Sequence, residues 1–124
     1  MPIRFTIDHD KRYVEARAEG EIALEDLETF LDAVVVQNAL PYRKLFDGRL
    51  AFGKYNDHDV MMLGARISAY AASLEPRGAV ALLANEAHLD LAKRFINLGK
   101  SDRPVKVFLS EDEARKWLNA QPEV

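Results

Sequence analysis

The chain of 124 residues contains no cysteine. That excludes disulfides, thiolate metal sites and a cysteine nucleophile, and it fits a reducing compartment. An excess of basic charge is missing as well. Lys and Arg number 17 against 20 Asp and Glu, for a net charge of -3, which argues against nucleic acid, whose phosphates reward dense Lys and Arg faces. No apolar run approaches the roughly 20 residues that a membrane helix needs. The start, "MPIRFTIDHD", lacks the apolar core of an export signal, so the expected location is cytoplasmic. Glycine is sparse, at six residues. "GRLAFG" has two of them but no following Lys-Ser/Thr and no adjoining helix, so it is not a phosphate-binding loop. A G-x-S-x-G nucleophile elbow is also absent.

What is present is an ordinary globular composition, 48% apolar and 30% charged. Its length suits one domain over residues 1–124, with a real core. Ile3, Phe5 and Ile7 alternate with Arg4, Thr6 and Asp8, the period-two mark of a half-buried strand. Tyr13, Val14, Ala16 and Ala18 continue as a second strand, so residues 2–19 read as a hairpin that Gly20 ends. Leu24, Leu27, Leu31, Val34, Val35 and Asn38 form one helical stripe. Glu25, Asp26 and Glu28 crowd its first turn, where the helix dipole favours negative charge, and Pro41 is expected to stop it. "YRKLFDG" reads as a short strand ending at Gly48, followed by the loop "RLAFGKY". Val60, Leu63, Ile67, Tyr70, Ala71 and Leu74 signal a long helix, and Glu75-Pro76-Arg77-Gly78 a turn. "AVALLA" has no polar alternation and reads as a strand buried on both faces. "HLDLAKRFINLG" is a helix stopped by Gly99, "VKVFL" the last strand, and "SEDEARKWL" the last helix. Ser110 and Glu113 make its capping box, ahead of Ala114, Trp117 and Leu118.

The order β-β-α-β-α-β-α-β-α implies an α/β fold, with a mixed sheet joined mainly by parallel crossovers. That order, the "LFDGR" strand end, the "AVALLA" strand and the closing "VKVFLSEDEARKWL" resemble the SpoIIAA-like branch of the STAS superfamily, the anti-sigma-factor antagonists and their relatives. The resemblance covers nearly the whole chain. It implies a single domain with a four- to five-stranded sheet and flanking helices, in a family that mostly binds partners or small ligands. The family's antagonists switch by phosphorylation of a Ser or Thr at the start of the helix after the third strand. Here that region is "KYNDHDVMM", in which Asn56, Asp57, His58 and Asp59 stand without Ser or Thr and Tyr55 carries the nearest hydroxyl. A phosphorylation switch is therefore not expected. The carboxylates would act at most as a permanently charged version of it.

Two triplets, Asp8-His9-Asp10 and Asp57-His58-Asp59, invite a metal or acid–base reading. Turn chemistry explains both more simply. "DHDKR" joins two strands, and Asn56 makes a helix N-cap with Asp59 at the third helical position. His88, between Glu86 and Asp90, has no nucleophile pattern to serve and reads as a cap or surface residue. Asp47 stands out because it ends a strand beside Gly48 and Arg49, at the carboxyl edge where ligands of open α/β sheets gather. It can bond its own loop or a nearby Arg, or it can form a recognition surface. The candidate surface comprises Asp47, Arg49, Phe52, Tyr55, Asn56, Asp57, Asn85 and Glu86. Phe52 and Tyr55 read as exposed loop aromatics of the kind found at interfaces. Lys93 and Arg94 read as solvated, with Arg94 able to reach a carboxylate.

The expected function is thus a non-catalytic regulatory or protein-interaction domain, with a protein partner or a second copy as its target. The alternative is a carrier or sensor of a small apolar, lipid-like ligand, since the STAS fold resembles the lipid-binding SEC14-type fold. In that case Met61, Met62 and the small residues of "VMMLGARISAYAASL" would line a cavity, although Met also fills ordinary cores. No cofactor, metal or catalytic residue is expected.

Overall fold

In the computed structural model, which describes residues 2–73, 77–98 and 103–122, the opening alternation becomes strand β1 (Ile3–Asp8). It pairs antiparallel with β2 (Tyr13–Glu21), from Ile3 opposite Ala18 to Asp8 opposite Tyr13. The hairpin tip is turn chemistry, as expected. Asp8 Oδ1 accepts from the Lys11 N–H at 3.0 Å, and Arg12 takes a left-handed φ of 54°. Gly20 does not end β2. It sits inside the strand at φ 79°, a value glycine adopts without strain, and the strand runs on to Glu21.

Helix α1 (Leu24–Val36) starts where Asp26 accepts the Ala23 N–H at 2.8 Å. Phe30 and Val34 are its buried residues. Asn38 is off the stripe. It takes the left-handed conformation after the helix, φ 58°, with its N–H on the Val35 carbonyl at 3.0 Å. The helix is therefore finished before Pro41 can stop it.

Strand β3 spans Arg43–Phe52, well past the expected end at Gly48. Its partner is β2, in parallel, and the register steps from Arg17 opposite Asp47 to Glu19 opposite Leu50. Two residues of β3, Gly48 and Arg49, thus face one of β2, Ala18, which is a bulge. Beyond the bulge the alternation changes hand, and Leu50 and Phe52 return to the face that carries Leu45 and Asp47.

Helix α2 (Asp57–Ser73), strand β4 (Val80–Leu83), helix α3 (Leu89–Leu98), strand β5 (Val105–Phe108) and helix α4 (Glu111–Asn119) complete the chain. The side chains of Tyr70 and Ala71, together with Leu74, Glu75, Pro76 and Gly99, lie outside the described residues. The sheet order is β1-β2-β3-β4-β5, with only β1 antiparallel. Right-handed crossovers that all advance in one direction return over the same face. Helices α1, α2 and α3 accordingly line one face, and α4 packs alone on the other against β3, β4 and β5.

Two apolar clusters follow from that division. Val14, Ala16, Ala18, Phe30 and Val34 pack on the three-helix face, where the Phe30 ring stands edge-on to Phe5 at 5.3 Å and to Phe46 at 5.5 Å. Leu45, Ala81, Leu83, Phe108, Ala114 and Leu118 pack under α4, with Trp117 partly buried at the side. Ser110 Oγ caps α4 by accepting the Glu113 N–H at 3.4 Å. Among the described residues, no helix is long and apolar enough to cross a membrane.

Candidate functional site

The bulge in β3 places Asp47 and Arg49 side by side on the α4 face. Asp47 accepts from the Arg49 backbone N–H at 3.1 Å, from Nε at 3.0 Å and from Nη2 at 2.8 Å. Arg49 Nη2 also reaches Glu111 Oε1, at 2.9 Å, in the first turn of α4. Glu111 holds Arg115 at 3.0 Å, and Arg115 in turn pairs with Glu15 on β2. A chain of alternating charge therefore fastens α4 to β3 and β2. Burial pushes the Asp47 carboxyl up, but the bonds and charge of Arg49, helped by Arg17, outweigh it and leave the group below its ordinary value. Glu111 is lowered by Arg115 and then by Arg49. Of the two readings of Asp47, this geometry is the loop-and-arginine one.

The rest of the expected surface divides. Asn85 joins Asp47 and Arg49, donating Nδ2 to the Arg49 carbonyl at 2.7 Å while its Oδ1 caps His88. Glu86 is exposed. Phe52 is half exposed at the end of β3. Tyr55 is not a free loop aromatic, because it is part-buried and its hydroxyl donates to the Ile22 carbonyl. Desolvation, then Asp26, Asp59 and Glu21, raise its pKa. Asn56 and Asp59 cap α2 reciprocally, at 2.8 and 3.2 Å. Asp57 pairs with Arg94 of α3 at 3.2 Å.

The histidine triplets stand at opposite ends of the sheet. Tyr13, after the first, lies opposite Arg43 at the start of β3, whereas the second opens α2 beyond the end of β3. His9 does more than form a turn. Its Nδ1 lies 2.7 Å from the hydroxyl of buried Tyr42. His58 is exposed. Among the described residues, no group of three or more His, Asp or Glu is placed to hold a metal.

On the three-helix face lies a site that sequence reasoning missed. A cavity of about 170 Å3 is walled by Leu27, Phe30 and Val34 of α1, Leu63 and Ile67 of α2, and Phe46, Val80, Leu82 and Val105 of the sheet. Met61 and Met62, the expected lining, instead point outward, 67% and 53% exposed. They fall on the wrong side of a helix whose inner stripe is Leu63 and Ile67. Three cationic residues, Lys44, Arg77 and Arg103, also line this cavity. Lys44 and Arg77 are only 7% and 4% exposed.

Backbone pairing gathers them. Val80 lies opposite both Lys44 and Val105, so Arg77 and Arg103 fall just before the same row of the sheet. The Gly78 N–H donates to the Leu40 carbonyl at 2.8 Å, and a Cβ at Gly78 would collide with the carbonyls of Pro41 and Tyr42. Only glycine admits that approach. Lys44 Nζ donates to the Leu40 and Tyr42 carbonyls at 2.6 and 2.7 Å. Burial, then Arg103 and Arg77, hold its pKa well below the ordinary lysine range. The available signal was an Arg shortly before each of the last two parallel strands, in "PRGAVALL" and "DRPVKVF", together with Lys44 sharing a strand face with Phe46. A smaller cavity of about 90 Å3 lies toward the carboxyl edge, between Ile22, Tyr55, His88 and Leu91. It shares Leu27, Phe46 and Leu82 with the first.

No family model matches the chain, and no curated protein matches it. Among solved structures it is similar to an uncharacterized protein from the DUF3478 family with a SpoIIAA-like fold, from Shewanella loihica PV-4. The TM-score is 0.59 at 21% identity, covering 94% of this chain and 93% of the other. The likeness shows the fold, which is SpoIIAA-like, as the sequence pattern implied.

Proposed function

We propose that the protein is a non-catalytic binding domain that holds a small apolar molecule between α1, α2 and the sheet. The observation that carries this reading is the cavity of about 170 Å3 walled by Leu, Ile, Val and Phe. Protein interiors pack as densely as organic crystals. The space is partly open to solvent, and enclosed apolar cavities of similar volume take up benzene. The polar groups at the carboxyl edge are committed to one another, Asp47 to Arg49 and Arg49 to Glu111, which favours a structural role for them over a catalytic one.

Toluene tests the reading, since a ligand bound by the folded state alone raises stability by mass action. It should raise the melting temperature of the wild type and leave a Leu63→Phe variant, whose larger ring fills the space, unmoved. Equal behaviour of the two proteins would defeat the proposal.

A second reading, contact with a protein partner or a second copy, is favoured by Leu50 and Phe52. Both are at least half exposed, and the bulge sets them on one face. Sedimentation of Leu50→Ser/Phe52→Ser beside the wild type tests it. A self-associating wild type and a monomeric variant would support it.

A further inference from the structure

We infer that the outer edge of β1 docks a second copy of this chain, antiparallel, with Arg4 opposite Asp8 of the other copy. The inference is independent of the cavity and of Leu50 and Phe52, which lie on β3, two strands in from this edge. Among the described residues no strand pairs with β1 on its outer side. The direction of its backbone groups follows from one hydrogen bond, from the Glu19 N–H to the Pro2 carbonyl at 2.9 Å. Hydrogen-bonded and non-hydrogen-bonded pairs alternate along an antiparallel ladder. Pro2, Arg4, Thr6 and Asp8 therefore bond inward to β2, and Ile3, Phe5 and Ile7 turn their N–H and C=O groups outward. Such an edge is a template for another strand unless shortness, proline or lysine blunts it. The opposite edge has two of these devices, since β5 spans only four residues and carries Lys106. β1 spans six and has neither proline nor lysine.

The side chains select the register. Outward groups must meet outward groups, so Phe5 can face Ile3, Phe5 or Ile7 of the second copy. Facing Ile3 sets Arg4 against Arg4. Facing Phe5 sets Arg4 against Thr6 and leaves Asp8 beside Pro2. Facing Ile7 runs the two-fold axis through Thr6 and sets Arg4 against Asp8 on both sides of it. Opposite charges, Thr–Thr and aromatic–β-branched pairs are each favourable across strands, and only this last register makes all three. Arg4 also stands opposite Arg17 on β2, a like-charge neighbour, so a carboxylate on its other flank suits the charge there. Arg4, Thr6 and Asp8 are exposed. Phe5 is a large apolar side chain left 37% exposed, and Ile7 of the second copy would cover it. Phe5 and Ile7 then exchange backbone hydrogen bonds across the axis, and the two sheets become one.

Sedimentation over a range of concentrations tests this on the wild type, Arg4→Asp, Asp8→Arg and an equimolar mixture of the two variants. The wild type should self-associate, and each variant should do so about tenfold or more weakly, because attractive pairs become repulsive on both sides of the axis. The mixture should recover, since its swapped charges again oppose one another. The chain has no native cysteine, so Thr6→Cys gives a second measurement that keeps both charges and the hairpin tip. On the axis its Cα atoms would lie about 4.5 Å apart, as in a non-hydrogen-bonded pair and within disulfide reach, and mild oxidation should link the chains. Arg4→Cys, whose counterpart lies roughly 13 Å along the strand, should not link. A wild type that stays monomeric, or no cross-link in Thr6→Cys, would overturn the inference. Equal cross-linking of the two cysteine variants, or a mixture no stronger than its components, would overturn the register. Association lost in Leu50→Ser/Phe52→Ser but kept in Arg4→Asp would assign the contact to β3 and overturn the β1 edge.

Discussion

Tyr55 donates its hydroxyl to the backbone carbonyl of Ile22, tying the segment after β3 to the segment after β2. Both strands end at the same level of the sheet, Glu21 opposite Phe52, so this bond closes the carboxyl edge beside the smaller cavity. Tyr55→Phe should cost about 1 kcal/mol, the usual net worth of such a bond. Phe52→Ser, at an exposed strand end, should stay within about 0.5 kcal/mol. Urea unfolding of the two variants checks the ranking. A larger loss from Phe52→Ser would place Phe52 in the core.

Asp47 should make the fold acid-sensitive. Its folded pKa lies below the ordinary value because Arg49 outweighs the effect of burial. A depressed carboxylate contributes stability that is fully present above its unfolded pKa, near 3.9, and is lost as pH falls through the folded value. Stability of the wild type should therefore drop more steeply below about pH 4 than that of Asp47→Asn. Urea midpoints at a series of pH values measure this. Parallel acid limbs would show that the Asp47–Arg49 pair contributes no linkage.

Lys44 should act in the opposite direction. Its folded pKa is lowered by burial, Arg103 and Arg77, so between that value and the unfolded one, near 10.4, the unfolded chain binds more protons. Stability then rises with pH across this window. Lys44→Met should flatten the rise, and thermal melts at stepped alkaline pH, below the titration of the arginines, would reveal it. A slope that persists in Lys44→Met would assign it to another group.

Leu118 should anchor α4 more strongly than Trp117. Leu118 is fully buried beneath the helix, whereas Trp117 is only partly covered, its ring 5.5 Å from that of Phe108. Leu118→Ala should cost about 3–5 kcal/mol as a core truncation. Trp117→Ala should cost less despite the larger side chain. Denaturant midpoints decide the order, and a reversed ranking would mean that α4 is rotated about its axis.

The order of strands and helices, the caps at Asn56 and Ser110, and the hairpin tip at Asp8 were legible in the sequence. Each depends on residues within a few positions of one another, and spacing of 2.0 or 3.6 residues is a local property. What tertiary structure alone decided lies across the sheet. The parallel register of β2 and β3 created the bulge that extended β3 to Phe52 and turned Arg49 toward Asp47 and Glu111. The close approach of Gly78 to Pro41 and Tyr42 brought Arg77 beside Lys44, and Val105 opposite Val80 brought Arg103 to the same row. Leu63 and Ile67 faced α1 across a gap while Met61 and Met62 turned to solvent. Lys44, Arg77 and Arg103 are separated by more than two dozen residues at each step, and no local period relates positions so far apart. Only the pairing of parallel strands, which sets ends of distant segments side by side, makes them neighbours.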